Sequence, residues 1–153
     1  GGGAGTWYIP DEKEFMLDFV TPQTSDDGRP YTHSQLGIML QPLRYMEYSL
    51  EDIQQTTIFD NSSAVVINVP HPARYALHKL IVYGLREGHN KSKMGKDLQQ
   101  SALLLKVMRE DEVSEAWEDL VSRGPKWRKN VKLGLDALER LCPQEKFKDW
   151  LSL

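Results

Sequence analysis

The sequence predicts an α+β fold: a small mixed or antiparallel sheet from the N-terminal part, followed by a C-terminal helical bundle. Strand-like apolar runs occupy about the first 70 residues. From Pro72 onward, apolar residues recur at helical spacing. Strands first and helices afterwards suit segregated layers, not the alternation of a doubly wound sheet. The expected division is residues 1–70 as a partial sheet region and residues 71–153 as a helical region packed on it, together one compact unit.

Each element has a local reason. Trp7-Tyr8-Ile9 is a short aromatic strand broken by Pro10-Asp11, and Phe15 to Val20 is a second strand closed by Thr21-Pro22. Asp18 is the odd member there, because a lone carboxylate is costly to bury without a partner. Residues 21–34 read as loop, crowded with Pro22, Ser25, Asp26, Asp27, Gly28 and Pro30. Residues 35–53 stay open between helix and strand: Leu36, Met39 and Leu40 have helical spacing, Pro42 interrupts, and Tyr45 and Tyr48 suit a strand. Thr56 to Phe59 and Ala64 to Val69 form a hairpin around Asp60-Asn61-Ser62-Ser63.

Pro72 suits a first helical turn, where its missing N–H is not needed. Ala73, Ala76, Leu77, Leu80, Ile81 and Gly84 then make one apolar stripe, and the helix is expected to stop near Glu87-Gly88. A loop from His89 to Ser92 leads to a second helix with Leu98, Ala102, Leu105 and Met108 as its buried seam. Asp111-Glu112 opens a third, with acids at the positive end of the helix dipole, and Gly124 ends it. Pro125 opens a fourth through Trp127, Val131, Leu135, Leu138 and Leu141, and Pro143 precedes a short last helix with Phe147, Trp150 and Leu151.

The 153 residues favour one domain, and 40% hydrophobic content supports a core. No apolar stretch approaches the roughly 20 residues of a membrane span. Gly1 to Gly5 carry no leader pattern; they read either as a flexible fragment end or as a native glycine turn. The single Cys142 suits a reducing cytoplasm and an apolar filler role.

Charge is unevenly spread. Residues 11–60 are acid-rich, residues 71–96 carry Arg74, Lys79, Arg86, Lys91, Lys93 and Lys96 against Glu87, and residues 120–135 carry Arg123, Lys126, Arg128, Lys129 and Lys132 with no acid. Such islands suit metal and phosphate partners or simply solvated helix faces. Arg74, Lys79, Lys93 and Lys96 are the candidate nucleotide or phosphate contacts, since lysine binds phosphate as a point charge. Tyr75, His78 and Asp97 are the supporting candidates; Asp97 is placed to pair with Lys93, or to position Lys79 or Lys96 across a helix contact. Asp18 is the candidate catalytic and metal carboxylate, although metal-dependent phosphoryl transfer needs two or three such groups. His71 and His78 lack a zinc-site spacing.

The run Val69-Pro70-His71-Pro72-Ala73-Arg74-Tyr75-Ala76-Leu77-His78-Lys79-Leu80-Ile81-Val82 resembles a block in a bacterial family of nucleotidyltransferase-fold proteins. Lys93-x-x-Lys96-Asp97-x-x-Gln100 looks like that family's next block, Phe15-x-Leu17-Asp18-Phe19-Val20-Thr21-Pro22 resembles an earlier strand, and Gly124-x-x-Trp127-Arg128 is similar to its late helical part. The family resembles the DNA polymerase β-like fold, and this chain corresponds to its C-terminal part. The resemblance implies Mg²⁺-dependent transfer of a nucleotidyl group from a nucleoside triphosphate to a hydroxyl acceptor, on RNA or protein. It implies Asp18 as the third carboxylate of a set whose first two follow a Gly-Ser turn. No such turn and pair precede Asp18, so the chain is expected to be a truncated domain, inactive alone. The alternative expectation is a non-catalytic nucleic-acid- or protein-binding module of a toxin–antitoxin or defence system.

Overall fold

A computed structural model describes residues 6–9, 12–86 and 91–151. The expected helix stop at Glu87-Gly88, the start of the loop at His89 and the opening glycines lie outside the described residues. The fold is α+β, with small sheets first and helices after them. The chain divides into two compact units, Gly1–Glu47 and Tyr48–Leu153.

The first unit holds two small sheets. Strands β1 (Thr6–Ile9) and β2 (Glu12–Asp18) pair antiparallel, with Thr6 opposite Asp18. Strands β3 (Val20–Pro22), β4 (Tyr31–Thr32) and β5 (Met39–Leu43) form a three-stranded sheet in the order β3-β5-β4. β5 runs parallel to β3 and antiparallel to β4, so this sheet is mixed. The strand expected from Phe15 to Val20 is thus two strands with a break at Phe19, whose carbonyl accepts from the Gln41 N–H at 2.9 Å. The open segment 35–53 resolves into β5 and a short helix, α1 (Met46–Leu50). Tyr45, at φ 62°, turns the chain sharply between them.

In the second unit β6 (Ile53–Phe59) and β7 (Ala64–Pro70) form the expected hairpin. Asp60 stabilises its turn, its carboxylate accepting from the Ser62 and Ser63 N–H groups at 2.7 and 2.8 Å. Both faces of the hairpin carry exposed apolar side chains, among them Ile58, Phe59, Val65 and Val66. The hairpin sits with the helices and not with the earlier strands, and the His71 N–H, donating to the Asp52 carbonyl at 2.8 Å, ties its base to the next helix.

Five helices follow: α2 (Pro72–Leu85), α3 (Lys91–Val107), α4 (Glu110–Ser122), α5 (Pro125–Leu141) and the short α6 (Phe147–Trp150). His71 caps α2, its Nδ1 accepting from the Ala73 N–H at 3.2 Å. α2 is the central helix and packs on α3, α4 and α5. Its whole expected stripe, from Ala73 to Gly84, is buried. Leu77, Leu80 and Ile81 are fully enclosed, each stabilising the fold by about 1.5–3 kcal/mol. The α2–α5 contact is backbone against backbone. A Cβ on Gly84 would strike the Asn130 carbonyl, and one on Gly134 would strike the Leu80 carbonyl. Only glycine lets the two helices approach this closely.

Candidate functional site

The α2–α3 contact gathers the candidates of the basic segment. Asp97 is buried on α3, its side chain only 6% exposed. Lys79 reaches it from α2 at 3.2 Å, and Arg86, one residue past α2, reaches its other oxygen. Of the pairings open in the sequence, the cross-helix one with Lys79 forms, while Lys93 makes no ion pair among the described residues. Lys79 also lies over the Tyr75 ring, 5.0 Å from its centre. Tyr75 and Asp97 therefore fix Lys79 from two sides. Lys93 and Lys96 stand exposed on the turn of α3 that precedes and includes Asp97. Among the described residues this surface sets Lys79, Arg86, Lys93 and Lys96 against the carboxylate of Asp97, an excess of positive charge. Arg86 was visible in the sequence as part of the basic strip; its tie to Asp97 was not. His78, expected on the polar side, is instead buried in the α2 face that meets the core.

Arg74 goes elsewhere. Its guanidinium pairs with Asp119 of α4 at 2.7 Å and with Glu51 at 3.6 Å, and lies 4.8 Å over the Tyr48 ring. Arg123 completes the group: it pairs with Glu51 and with Asp119, and stacks near both Tyr48 and Trp127. Tyr48 is fully buried beneath the two guanidinium groups, and its hydroxyl donates to the Ala116 carbonyl at 2.7 Å. Burial pushes the Tyr48 phenol well above its ordinary range. The hydrogen bond from Arg123 lowers the Glu51 carboxyl, and the same bond raises the Arg123 guanidinium. Burial pulls Asp119 upward, but Arg123 and Arg74 outweigh it and leave its pKa lowered. Arg74 is thus held among carboxylates, apart from the positive surface around Lys79. Beside this network lies a cavity of about 150 Å³ lined by Asp52, His71, Arg74, Glu112, Glu115 and Asp119. No sequence motif marks it, because its acids come from two distant segments, Asp52 before β6 and Glu112, Glu115 and Asp119 on α4.

Asp18 ends β2 in the first unit. It is exposed, and its carboxylate accepts from the Thr6 hydroxyl at 2.6 Å across the sheet. The cost of burying a lone strand carboxylate therefore does not arise. Magnesium is the metal that nucleotidyl transfer generally uses. Among the described residues no group of three or more carboxylate, histidine or cysteine side chains is placed to hold a metal ion. Asp18 with its threonine partner does not by itself fit Mg²⁺, which needs several oxygen ligands in octahedral geometry. Nor is any described helix long and apolar enough to cross a membrane.

A family model described as nucleotidyltransferase matches residues 2–123. Neither the comparison with curated proteins nor that with solved structures gives a match. The matched segment contains Asp18 and the whole α2–α3 surface, and it ends at Arg123.

Proposed function

Since the chain belongs to a nucleotidyltransferase family, whose activity is nucleotidyl transfer, we propose that its α2–α3 surface receives the phosphates of a nucleoside triphosphate. The observation that carries this reading is the charge imbalance there among the described residues: Lys79 and Arg86 share the Asp97 carboxylate, and Lys93 and Lys96 stand exposed without an ion pair. Asp97 and Tyr75 hold Lys79 in a fixed pose, so little side-chain freedom is lost when an anion arrives. Lys93 and Lys96 supply the mobile charges that reach the outer phosphates. Arg74, engaged with Asp119 and Glu51, supports the helix packing behind this surface.

Asp18 is the carboxylate that the family resemblance assigns as base or metal ligand. It is not accompanied by a clustered set among the described residues, and so the chain by itself binds nucleotide without completing transfer to a hydroxyl acceptor. Titration with a fluorescent nucleoside triphosphate tests the binding half. Exchanging both lysines in K93Q/K96Q is expected to weaken binding about 30-fold, on the order of 2 kcal/mol for two charged contacts. Asp18→Asn should leave that affinity within about twofold, the scatter expected at a site that does not touch the phosphates. Unchanged affinity in K93Q/K96Q would remove the phosphate assignment. Label transfer from the triphosphate by this chain alone would remove the second.

A further inference from the structure

We propose that the exposed face of α5, carried by Lys126, Lys129 and Lys132, binds the phosphate backbone of a polynucleotide strand. This surface lies past the matched segment that ends at residue 123, and it is independent of the triphosphate reading above.

The first argument is how cations are disposed. Elsewhere in the second unit, Arg74, Lys79, Arg86, Lys106, Arg109, Arg123 and Lys148 are in ion pairs, whereas Lys93, Lys96, Arg128, Arg140 and Lys146 are in none among the described residues. Lys126, Lys129 and Lys132 are exposed and make none among the described residues. The acids that could have neutralised them are committed. Asp136 and Glu139 of the same helix are taken by Lys148, at 3.0 and 2.5 Å, and Asp119 is taken by Arg74 and Arg123.

The second argument is the helix dipole. α5 begins at Pro125 and has no acid in its first turn. Lys126 therefore sits at the positive end of the helix, where cations are unfavourable, with Lys129 one turn further along. α4 shows the usual arrangement, with Glu110, Asp111 and Glu112 in its first turn. A fold that left α5 electrostatically opposed gains from a polyanion on that face.

The third argument selects the partner. Successive lysines three residues apart rise about 4.5 Å, so the three span about 9 Å of helix. A strand laid along the helix carries one charge per nucleotide, so the three long, flexible lysine side chains can each reach a separate phosphate. The neighbouring aromatic, Trp127, packs edge-on against Tyr48 with ring centres 6.0 Å apart, and Arg123 lies 5.3 Å over its ring. It is half-buried and engaged by these two partners, so it is not an open platform for a base. The contact is with the backbone alone and carries no sequence preference. Arg128 stays outside it, since its Nε donates to the Val121 carbonyl at 2.6 Å.

Fluorescence anisotropy with labelled 20-residue RNA and DNA single strands, over a range of salt, tests the proposal on the full chain. The strands should bind at low salt, and log affinity should fall steeply with log salt. In K126Q/K129Q/K132Q the slope should drop by about two, at about 0.7 per lost phosphate contact on a single strand. The arginine variant K126R/K129R/K132R should keep the binding. The glutamine variant should melt at the same or a higher temperature, because its helix start is relieved of like charge; a structural role for these lysines would lower it. Its affinity for nucleoside triphosphate should be unchanged, which separates this surface from α2–α3. Absence of strand binding at low salt overturns the proposal, as does binding that K93Q/K96Q abolishes while the α5 variant retains it. Equal affinity for poly-glutamate of matched charge would also overturn it, in favour of an acidic protein partner.

Discussion

Glu51 and Asp119 share two guanidinium groups above the buried Tyr48 ring, and both carboxyls titrate below their ordinary values of 4.5 and 3.8. A carboxylate whose folded pKa is depressed contributes stability that is fully present above its unfolded pKa. That stability is lost as pH falls through the folded value. The second unit should therefore hold its melting temperature from neutrality down to about pH 5, then lose it progressively below about pH 4. Glu51→Gln should flatten that acid loss and slightly lower stability at neutral pH. The effect there stays under about 1 kcal/mol, because the Glu51 side chain is 45% exposed and its pairing is screened. An acid-sensitive melting profile identical in wild type and Glu51→Gln would show that the pairing does not set it. This network was not legible in the sequence. Arg123 and Glu51 are 72 residues apart, and counting charge by segment placed Arg123 in a free basic island and Glu51 in an acidic block. The α2–α3 cluster was more legible, because Lys79 and Asp97 flank a single expected helix–helix connection.

At the scale of elements, the seam between α2 and α5 is the least forgiving contact in the fold. Gly84 and Gly134 each face a carbonyl of the opposing helix, and neither carbonyl can swing aside as a side-chain tip would. Gly134→Ala should destabilise the protein by at least about 2 kcal/mol, read by chemical denaturation, since overpacking a tight site forces backbone shifts. Ala at Gly95, where an added Cβ meets nothing within 4 Å, should stabilise α3 slightly by helix propensity and serves as the control. Helices of this kind were readable beforehand: the stripe from Ala73 to Gly84 has one period, one Pro start and one buried face. α1 was not, because Pro42 and the positive φ of Tyr45 cut its segment into pieces too short for periodicity to resolve. The pairing of β3 with β5 was equally hidden, since parallel neighbours across a long loop leave no hairpin signal.

At the scale of the whole chain, the buried hydrophobic side chains among the described residues run from Tyr48 to Leu151 in the second unit, with only Pro42 of β5 buried in the first. Residues 48–153 expressed alone should then give a helical circular-dichroism spectrum and a cooperative thermal transition. A broad, non-cooperative melt would show that they need the first 47 residues to fold. The α+β class was legible from the order of patterns alone. The grouping was not: alternating strands suggested that the hairpin belonged with the early sheets, but packing joins it to the helices through Asp52 and His71. Asp18 shows the same limit on the functional side. Its neighbours in sequence resembled a family strand, yet what surrounds its carboxylate in the fold is a threonine hydroxyl and solvent.

The β6–β7 hairpin has a consequence for how the protein behaves in a tube. Two strands alone are marginal in water, and this pair keeps Phe59 74% and Val66 62% exposed. The segment Ala64–Pro70 is β-branched, uncharged and bounded by proline only at its end. Its free edge is a template for strand addition by another chain, with no lysine or bulge to blunt it. These seven residues thus form an aggregation-prone segment that contributes almost nothing to the hydrophobic core.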